Sequence, residues 1–339
     1  MNVLVTGGAG YIGSHIVIEL MQAGHSVVIV DNLVNADRKV IDRLETITGQ
    51  PVEFAEVDVT DEVSLGEVFD AHEFDAVIHM AGLKAVGESV SHPVDYYLNN
   101  VGSGATLARV MAKRGVRDLV FSSSATVYGI PDELPLTEES KLSAINPYGR
   151  TKLMLEEIFE DVAASEPGWN IILLRYFNPI GAHSSGLIGE DPAGIPNNLL
   201  PFVAQVAVGR LDKLEVFGND WPTRDGTPIR DYIHVADLAT GHVAALAKLA
   251  ENPGVVVYNL GTGDGVTVLE VVAAFEEATG VEIPYEFVGR RDGDAAEAWA
   301  DASKAERELG WKATRTLVQG CADSWNWQSN NPHGFRDPE

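Results

Sequence analysis

The stretch of sequence that decides the fold is VLVTGGAGYIG at residues 3–13. It joins a short apolar run, typical of a buried strand, to a stretch with the apolar spacing of a helix. Gly7, Gly10 and Gly13 form a GxxGxxG pattern in this turn, a close variant of the dinucleotide-binding fingerprint. Glycines let the backbone turn tightly and approach a pyrophosphate, while the helix N-terminus offers free N–H groups and the positive end of its dipole. The turn therefore predicts a dinucleotide site.

Asp31 indicates which dinucleotide is bound. It follows the second predicted strand, at the place where an acidic residue completes the fingerprint. A carboxylate there can accept both ribose hydroxyls of NAD, and it would repel the 2′-phosphate of NADP. The alternatives are that Asp31 only caps a turn, or that the nearby Arg38 and Lys39 admit NADP. We predict NAD as the cofactor.

Strand-like and helix-like runs alternate through the first half of the chain. Short β-branched runs occur at residues 2–6, 26–30, 52–56, 75–79, 118–122 and 170–175, and helical spacing occurs at 11–23, 37–48, 63–71, 93–114 and 147–165. Several of the strand-like runs are almost continuously apolar, as in strands covered on both faces of a parallel sheet. Unbroken alternation implies right-handed crossovers. We predict an α/β fold with a doubly wound parallel (Rossmann) sheet.

The second half of the chain is organised differently. After about residue 178 the elements become shorter, and Pro and Gly cluster at residues 181–201 and 218–228. We predict an NAD-binding domain at residues 1–179, a smaller α/β substrate-binding lobe at residues 180–339, and a cleft between them. A strand-like run at 255–260 indicates that some chain near 230–262 returns to the first domain.

Composition excludes several classes of function. The 50 acidic and 24 basic side chains give a formal net charge of −26, which repels phosphate backbones, so neither nucleic acid nor an anionic membrane is expected as a partner. Cys321 is the only cysteine, and the nine histidines show no HExxH or clustered spacing, so no disulfide and no metal are predicted. No apolar run approaches the ~18 residues of a membrane span. With no basic leader before the first strand, a cytoplasmic protein is expected.

Tyr148 and Lys152 lie four residues apart in a predicted helix, so their side chains share one face. Ser124 closes the serine-rich end of the fifth predicted strand. A tyrosine with a pKa near ~10 is a poor base at neutral pH. A neighbouring ammonium and an oxidised nicotinamide favour the phenolate, so we expect the Tyr148 pKa to fall, and a fall of ~3 units needs about 4 kcal/mol. The alternative is a packed ring beside a solvated amine.

Six stretches together resemble the extended short-chain dehydrogenase/reductases, and within them the enzymes that epimerise UDP-sugars. They span nearly the whole chain in family order and are VTGGAGYIGSH (5–15), AGLKAVGES (81–89), FSSSATVYG (121–129), PYGRTK (147–152), LRYFNP (174–179) and RDYIHV (230–235). The resemblance implies that Tyr148 is the catalytic base, Lys152 its partner and Ser124 the hydroxyl that positions the substrate.

The same resemblance implies which residues contact NAD. They are Tyr11, Ile12, Asp31, Asn32, Asp58, Val59, Lys84, Asn99, Tyr148, Lys152 and Phe177. Met80, Ala81 and Gly82 join this set because they follow the fourth predicted strand, at the edge where open α/β sheets bind ligands.

The diphosphate of a UDP-sugar needs cations. Arg230 and Arg291 are the best candidates, because the planar guanidinium matches phosphate oxygens; the alternative for each is a surface ion pair. The resemblance implies further substrate contacts from Ser124, Tyr148, Asn178, Asn198, Leu199, Glu215, Phe217 and Asp294, with residues 214–217 beside uracil and Asp294 on the uridine ribose.

Positions 125 and 126 favour one reaction. The related 4,6-dehydratases carry an Asp-Glu pair there, since eliminating water needs an acid and a base, but this chain has Ala125 and Thr126. The resemblance therefore implies an epimerase that interconverts UDP-galactose and UDP-glucose through a transient 4-keto sugar, with tightly bound NAD. The alternatives are a net dehydrogenase or C5 epimerase of the same fold, and a non-catalytic NAD sensor.

Ala298 bears on the range of substrates. Relatives restricted to glucose and galactose tend to carry tyrosine at the matching position, and a smaller residue leaves room for an acetamido group on the sugar. Trp299 or Leu187 could fill that room instead. Our hypothesis is that the enzyme also interconverts UDP-GlcNAc and UDP-GalNAc. From the resemblance we also expect a homodimer paired through residues 93–114 and 147–165.

Overall fold

The computed structural model describes residues 1–192, 196, 198–291 and 293–336. The strands are β1 (Asn2–Thr6), β2 (Ser26–Asp31), β3 (Glu53–Glu56), β4 (Ala76–His79), β5 (Asp118–Ser124), β6 (Asn170–Tyr176), β7 (Asn178–Ile180), β8 (Leu214–Phe217), β9 (Ile229–His234), β10 (Val255–Leu260), β11 (Gly265–Thr267), β12 (Tyr285–Val288) and β13 (Glu297–Ala298).

The helices connect and cover these strands. They are α1 (Tyr11–Gln22), α2 (Lys39–Thr48), α3 (Glu62–Ala71), α4 (Val86–Ser91), α5 (Pro93–Tyr96), α6 (Gly102–Arg114), α7 (Pro147–Ser165), α8 (Leu199–Ala207), α9 (Val235–Leu249), α10 (Val268–Thr279), α11 (Ser303–Leu309) and α12 (Leu317–Asn330). A π-helical turn (Tyr97–Val101) joins α5 to α6, and a 3₁₀ turn (Ala125–Val127) follows β5. Within the part of the chain that the structure describes, no helix is long and apolar enough to cross a membrane.

Seven strands form one parallel sheet in the order β10-β6-β5-β4-β1-β2-β3. Consecutive strands run outward in one direction from β1 and in the other direction from β4. The carboxyl ends of β1 and β4 therefore flank the point where the winding reverses, which is where doubly wound sheets bind ligands. The predicted fold class is confirmed.

Apolar side chains cover both faces of this sheet. Val3 and Val5 of β1 belong to the core cluster beneath α1, α2 and α9, whereas Leu4 belongs to the cluster beneath α3, α6 and α7. All three are fully buried, because successive residues of a strand point to opposite faces. Burial of each such side chain contributes about 1.5–3 kcal/mol, which explains why the run at the start of the chain shows no polar alternation.

The glycine turn after β1 brings three backbone segments into contact. Gly7 has a φ of +71°, and a Cβ on it would lie 2.7 Å from the backbone nitrogen of Ala81. A Cβ on Gly13 would lie 2.2 Å from the carbonyl oxygen of Gly7. No other residue fits this approach, since glycine alone has no Cβ and adopts positive φ without strain.

The predicted helix at residues 93–114 is interrupted by the π-helical turn. Asn100 lies in that turn and accepts a hydrogen bond from Leu83 N (2.8 Å). Its amide nitrogen donates to Leu83 O and to Thr151 Oγ1, each at 3.0 Å. Single π-helical turns occur frequently at functional sites, and this one ties the loop after β4 to α7.

The second half of the chain contains two smaller sheets. β9 pairs with β7, β11 and β13, and β8 pairs with β12. The chain then returns to the large sheet, where α9 packs against α1 and β10 pairs with β6. The return begins at Val235 rather than near residue 230, because β9 belongs to a small sheet. The domain boundary at residues 179 and 180 stays a prediction.

Candidate functional site

A cavity of about 570 Å³ lies along the carboxyl ends of the central strands, which is within the usual size of a small-molecule site. With one exception, the residues predicted to contact NAD all line it: Gly7, Gly10, Tyr11, Ile12, Gly13, Asp31, Asn32, Asp58, Val59, Met80, Ala81, Gly82, Lys84, Asn99, Tyr148 and Lys152. Their individual roles stay predictions, but the fold brings them to one place.

Phe177 is the exception. It is buried in a separate cluster with Val127, Tyr128 and Leu136, while the preceding residue, Tyr176, lines the cavity. Adjacent residues at the end of β6 point to opposite sides, so a side chain at position 176 faces the cavity and one at 177 does not. The predicted contact of Phe177 with NAD therefore finds no support in the cavity lining.

The glycine turn and Asp31 fit a dinucleotide. The turn presents bare backbone to the cavity, because a Cβ at Gly7 or Gly13 would collide with neighbouring backbone. The Asp31 carboxylate is 8% exposed and accepts hydrogen bonds from Ala9 N (3.1 Å) and Leu33 N (2.9 Å). Asp31 thus does cap a turn, yet each oxygen keeps a second lone pair for a ribose hydroxyl. Burial raises the pKa of Asp31, and the two backbone N–H groups oppose that rise.

Asp58 closes the same end of the cavity. Asn32 Nδ2 donates to Asp58 Oδ2 (2.9 Å), and Thr60 N donates to Oδ1 (2.8 Å). Burial acts to raise the pKa of Asp58, but the hydrogen bonds from Thr60 and Asn32 outweigh it and lower the pKa. Asn32 and Asp58, both predicted to contact NAD, are therefore held to each other.

Tyr148 and Lys152 line the other end of the cavity, and Ser124 does not line it but lies near Tyr148. Asn146 caps α7 by accepting from Gly149 N (2.8 Å), which starts the helix just before Tyr148. Lys152 is 5% exposed, and its Nζ donates to Ser122 O at 2.7 Å and lies 6.0 Å from the centre of the Tyr148 ring. The predicted sharing of one helix face is confirmed.

Ser124 is oriented to donate. Its Oγ accepts hydrogen bonds from Thr126 N (3.2 Å) and Thr126 Oγ1 (3.0 Å). Both contacts use the oxygen as an acceptor, so the hydroxyl proton is available to a neighbour, and Ser124 lies close enough to Tyr148 to act on its pKa. Thr126, at one of the two positions that distinguish the dehydratases, therefore orients the serine.

The protein's own groups do not produce the expected fall in the pKa of Tyr148. Burial raises the pKa of Tyr148, and the hydrogen bond with Ser124 only opposes that rise. Burial also lowers the pKa of Lys152 to about 8, although Glu156 acts to raise it. A dry site penalises both charged forms, so a low phenolate pKa requires a second positive charge beside the ring.

Glu156 and Arg175 form a buried ion pair next to Lys152 that no motif in the sequence indicated. Glu156 lies one helical turn after Lys152, is 2% exposed, and accepts from Arg175 Nη2 at 2.6 Å and from Arg175 Nε at 3.0 Å. Ser123 Oγ also donates to Glu156. Arg175 further contacts Tyr128 Oη at 3.2 Å. This network holds the strand ends that carry Ser122, Ser123 and Ser124 against α7.

Glu190, a second residue missed from the sequence, joins the two halves of the cleft. Its Oε1 accepts from Lys84 Nζ (2.6 Å) and from Asn198 Nδ2 (2.9 Å). Lys84 was predicted to contact NAD and Asn198 to contact the UDP-sugar. A single buried carboxylate therefore links a residue of each predicted set.

Four of the predicted substrate residues lie together in the second half of the chain. Arg291 Nη2 and Nε lie 3.0 and 3.1 Å from the Asp294 carboxylate, and the Arg291 guanidinium lies 5.3 Å from the Phe217 ring centre. Arg230 Nη2 is 3.9 Å from Asp294 Oδ1. Burial lowers the pKa of Arg230. Arg291 does form the exposed ion pair that was the alternative, but it forms it beside the half-buried Arg230 and an aromatic ring.

The remaining predicted substrate residues are more dispersed. Asn178 is exposed at the start of β7, opposite Tyr232 in the register, and Leu199 begins α8. Glu215 is exposed on β8. Among the residues that the structure describes, no group of three or more His, Cys, Asp and Glu side chains is arranged to hold a metal ion.

Comparison with known proteins gives consistent matches. The model of the NAD dependent epimerase/dehydratase family matches residues 3–261. The UDP-glucose 4-epimerase of Bacillus subtilis strain 168 is 56% identical over 339 residues, which cover 100% of both chains. A crystal structure of UDP-glucose 4-epimerase from Bifidobacterium longum in complex with NAD+ and UDP has a TM-score of 0.95 at 55% identity, covering 99% of this chain and 100% of that one. That of Stenotrophomonas maltophila, with NAD and formylated UDP-arabinopyranose, has a TM-score of 0.96 at 52% identity, covering 98% and 99%.

Proposed function

Because the chain belongs to the NAD dependent epimerase/dehydratase family, where it groups with the UDP-glucose 4-epimerases that use NAD, we propose that it interconverts UDP-galactose and UDP-glucose through a transient 4-keto sugar. One observation carries the proposal. Tyr148 and Lys152 line one end of a cavity that is also lined by the glycine turn and Asp31, and Ser124 lies near Tyr148. The cluster of Arg230, Arg291 and Phe217 supplies the charge and the ring that a uridine diphosphate needs.

The reaction needs a group that removes the proton of the sugar 4-hydroxyl. Tyr148 takes that proton, and the Ser124 hydroxyl donates to the same oxygen and keeps it in line. Lys152, held on Ser122 O, places a positive charge near the phenolate. NAD, when bound, accepts the hydride from C4 and returns it, so none is consumed. Tyr148 then gives the proton back to the 4-oxygen.

Inversion requires the 4-keto sugar to turn over while the nucleotide stays in place. Arg230 is a half-buried cation on β9, a strand that pairs with β7 and β13, so the group that we propose for the diphosphate sits on a rigid element. The sugar itself has no such anchor in the proposal. Holding UDP firmly and the hexose loosely lets either face of C4 be presented to the same hydride position.

The first prediction concerns Tyr148. Incubation with UDP-galactose should yield UDP-glucose without accumulation of reduced cofactor, and Tyr148→Phe should slow this conversion about 10²–10⁴-fold because the general base is lost. NAD content, measured chromatographically, should be unchanged. Tyr285→Phe is the matched control, since Tyr285 is 44% exposed on β12. A Tyr148→Phe protein that keeps more than about a tenth of the wild-type rate would require a different base.

The structure supports a wider range of substrates. Ala298 lies beside Arg230 in the register of β13 and β9, and it packs against the cluster that contains Phe177. Two residues could fill the space at this position. Trp299 lies against Gly265, since a Cβ on Gly265 would be 3.1 Å from Trp299 Cδ1. Leu187 packs against the core cluster beneath α1, α2 and α9. The enzyme thus also interconverts UDP-GlcNAc and UDP-GalNAc in this proposal.

The second prediction tests that range. Wild type should turn over both pairs of sugars, and Ala298→Tyr should lose the N-acetylated pair while keeping the unsubstituted pair, because the ring takes the volume that an acetamido group needs. The measurement is the ratio of kcat/KM for the two pairs in each protein. Absence of wild-type activity on UDP-GlcNAc, or equal activity in both proteins, would contradict the assignment.

The proposal includes a homodimer built on α4, α5 and α7. Val90, Val94 and Leu98 are spaced four residues apart along α4, α5 and the π-helical turn, and they are 64%, 64% and 68% exposed. Met154 of α7, 40% exposed, extends the same kind of surface. Exposed large apolar side chains in such a stripe are typical of a protein–protein contact.

The third prediction concerns this stripe. Leu98→Glu should convert the dimer to a monomer in sedimentation velocity at micromolar concentration, because a charge would be buried at the contact. Val63→Glu is the matched control, since Val63 is 71% exposed on α3 and lies away from the stripe. A wild-type protein that sediments as a monomer would overturn the dimer.

A further inference from the structure

Residues 331–336, here called the closing segment, form an unassigned wall of the cofactor cavity. Phe335 and Arg336 line the cavity together with Asp31, Asn32 and the residues that follow β2. They lie more than 300 positions from the glycine turn, and none of the motifs quoted above includes them.

Phe335 anchors the closing segment at several points. Its N donates to Asp191 Oδ2 (2.9 Å), and its O accepts from Lys39 Nζ (2.9 Å). Its ring centre lies 4.7 Å from that of Trp327 on α12 and 4.8 Å from the guanidinium carbon of Arg43 on α2. The side chain is 7% exposed. The segment is therefore joined to α2, to α12 and to the loop that precedes residue 192.

The turn before Phe335 has a defined path. Gly334 N donates to Asn331 O (2.9 Å), and Gly334 has a φ of +71°. A Cβ on Gly334 would lie 2.1 Å from Asp191 Oδ1. Asn331 Oδ1 accepts from Arg43 Nη1 (2.8 Å). Glycine is needed here for both conformation and space, so the geometry that delivers Phe335 and Arg336 to the cavity is specified by the chain.

Arg336 is one of the few positively charged residues in a mostly acidic cavity lining. Among the described residues that line the cavity, the cations are Lys84, Lys152 and Arg336. Lys84 is paired with Glu190, and Lys152 is held on Ser122 O beside Tyr148. The acids Asp31, Asp37, Asp58, Glu88, Glu190 and Asp191 line the same cavity. A pyrophosphate that enters so acidic a cavity is repelled unless a cation offsets the field.

We propose that the closing segment is part of the NAD-binding site, in which Phe335 closes the adenosine side and Arg336 supplies positive charge to the pyrophosphate. The inference rests on the proposed function only in taking this cavity as the cofactor site. An epimerase regenerates its NAD in each cycle, so a segment that slows cofactor release serves the reaction without touching the sugar. Phe335 and Arg336 are cofactor-binding residues, not catalytic ones.

The experiment measures release of NAD without any UDP-sugar. Purified NAD-loaded protein is incubated with isotopically labelled NAD, and exchange into the protein is followed over time. Phe335→Ala should exchange about tenfold faster or more, because a buried aromatic anchor is lost. Arg336→Gln should exchange about threefold faster or more at low salt, with the difference shrinking as salt screens the charge.

Two controls separate binding from stability. Phe287→Ala removes a phenylalanine that is 44% exposed on β12, and Arg307→Gln removes an arginine of α11; both should exchange NAD at the wild-type rate. Exchange is measured well below the melting temperature of each variant, and Arg336 is exposed, so its replacement leaves the core intact.

The outcomes are distinct. Faster exchange in both variants, with a salt-dependent effect at Arg336, supports the proposal. Exchange at the wild-type rate in both variants overturns it. Because no sugar nucleotide is present, the result does not depend on turnover: a protein that retains NAD through this segment but fails to convert UDP-galactose would contradict the proposed function and leave this inference standing.

Discussion

The arrangement around Tyr148 depends on one constraint, which is that the buried ammonium group of Lys152 must be compensated. An ammonium in a dry site is costly unless hydrogen bonds and an opposite charge compensate it. Here Ser122 O accepts from Nζ at 2.7 Å, and the Glu156 carboxylate lies one helical turn away. Glu156 is in turn held by Arg175 at 2.6 Å. Lys152, Glu156 and Arg175 therefore each have a hydrogen-bond partner, and Lys152 lies next to Tyr148.

This compensation constrains the register between β5 and β6. Ser123 of β5 and Arg175 of β6 are directly opposite each other in the register, and both bind Glu156 from α7. A one-residue slip between β5 and β6 would turn these side chains to the other face and leave the carboxylate unpaired. Breaking a buried pair by removing one partner typically costs about 3–5 kcal/mol. The same contacts that stabilise the sheet therefore also place Ser124 and Lys152.

Local pattern was enough to predict the sheet and to choose residues that line one cavity at its edge. The glycine turn, Asp31 and the Tyr148–Lys152 spacing each sit at the end of a strand or the start of a helix, where position in the fold follows from position in the sequence. Glu190 and the closing segment carry no such signal, because Glu190 meets Lys84 across 106 positions and Phe335 meets Lys39 across 296. The Tyr148 pKa shows a related gap: counting cations in a motif leaves out the burial of the ring, which raises the pKa and which only the packed structure reveals.

In the proposed function Tyr148 acts as a base because positive charge beside the ring lowers its pKa by more than burial raises it. Ultraviolet titration of the phenolate tests this most directly, recorded on NAD-loaded protein as the difference between wild type and Tyr148→Phe, and repeated in a Lys152→Met background. We expect Tyr148 of the wild type to ionise with a pKa below the ordinary tyrosine value of ~10. Replacement of Lys152 should raise that pKa. A Tyr148 that ionises at or above the ordinary value in the loaded wild type, or at the same pH with and without Lys152, would contradict it.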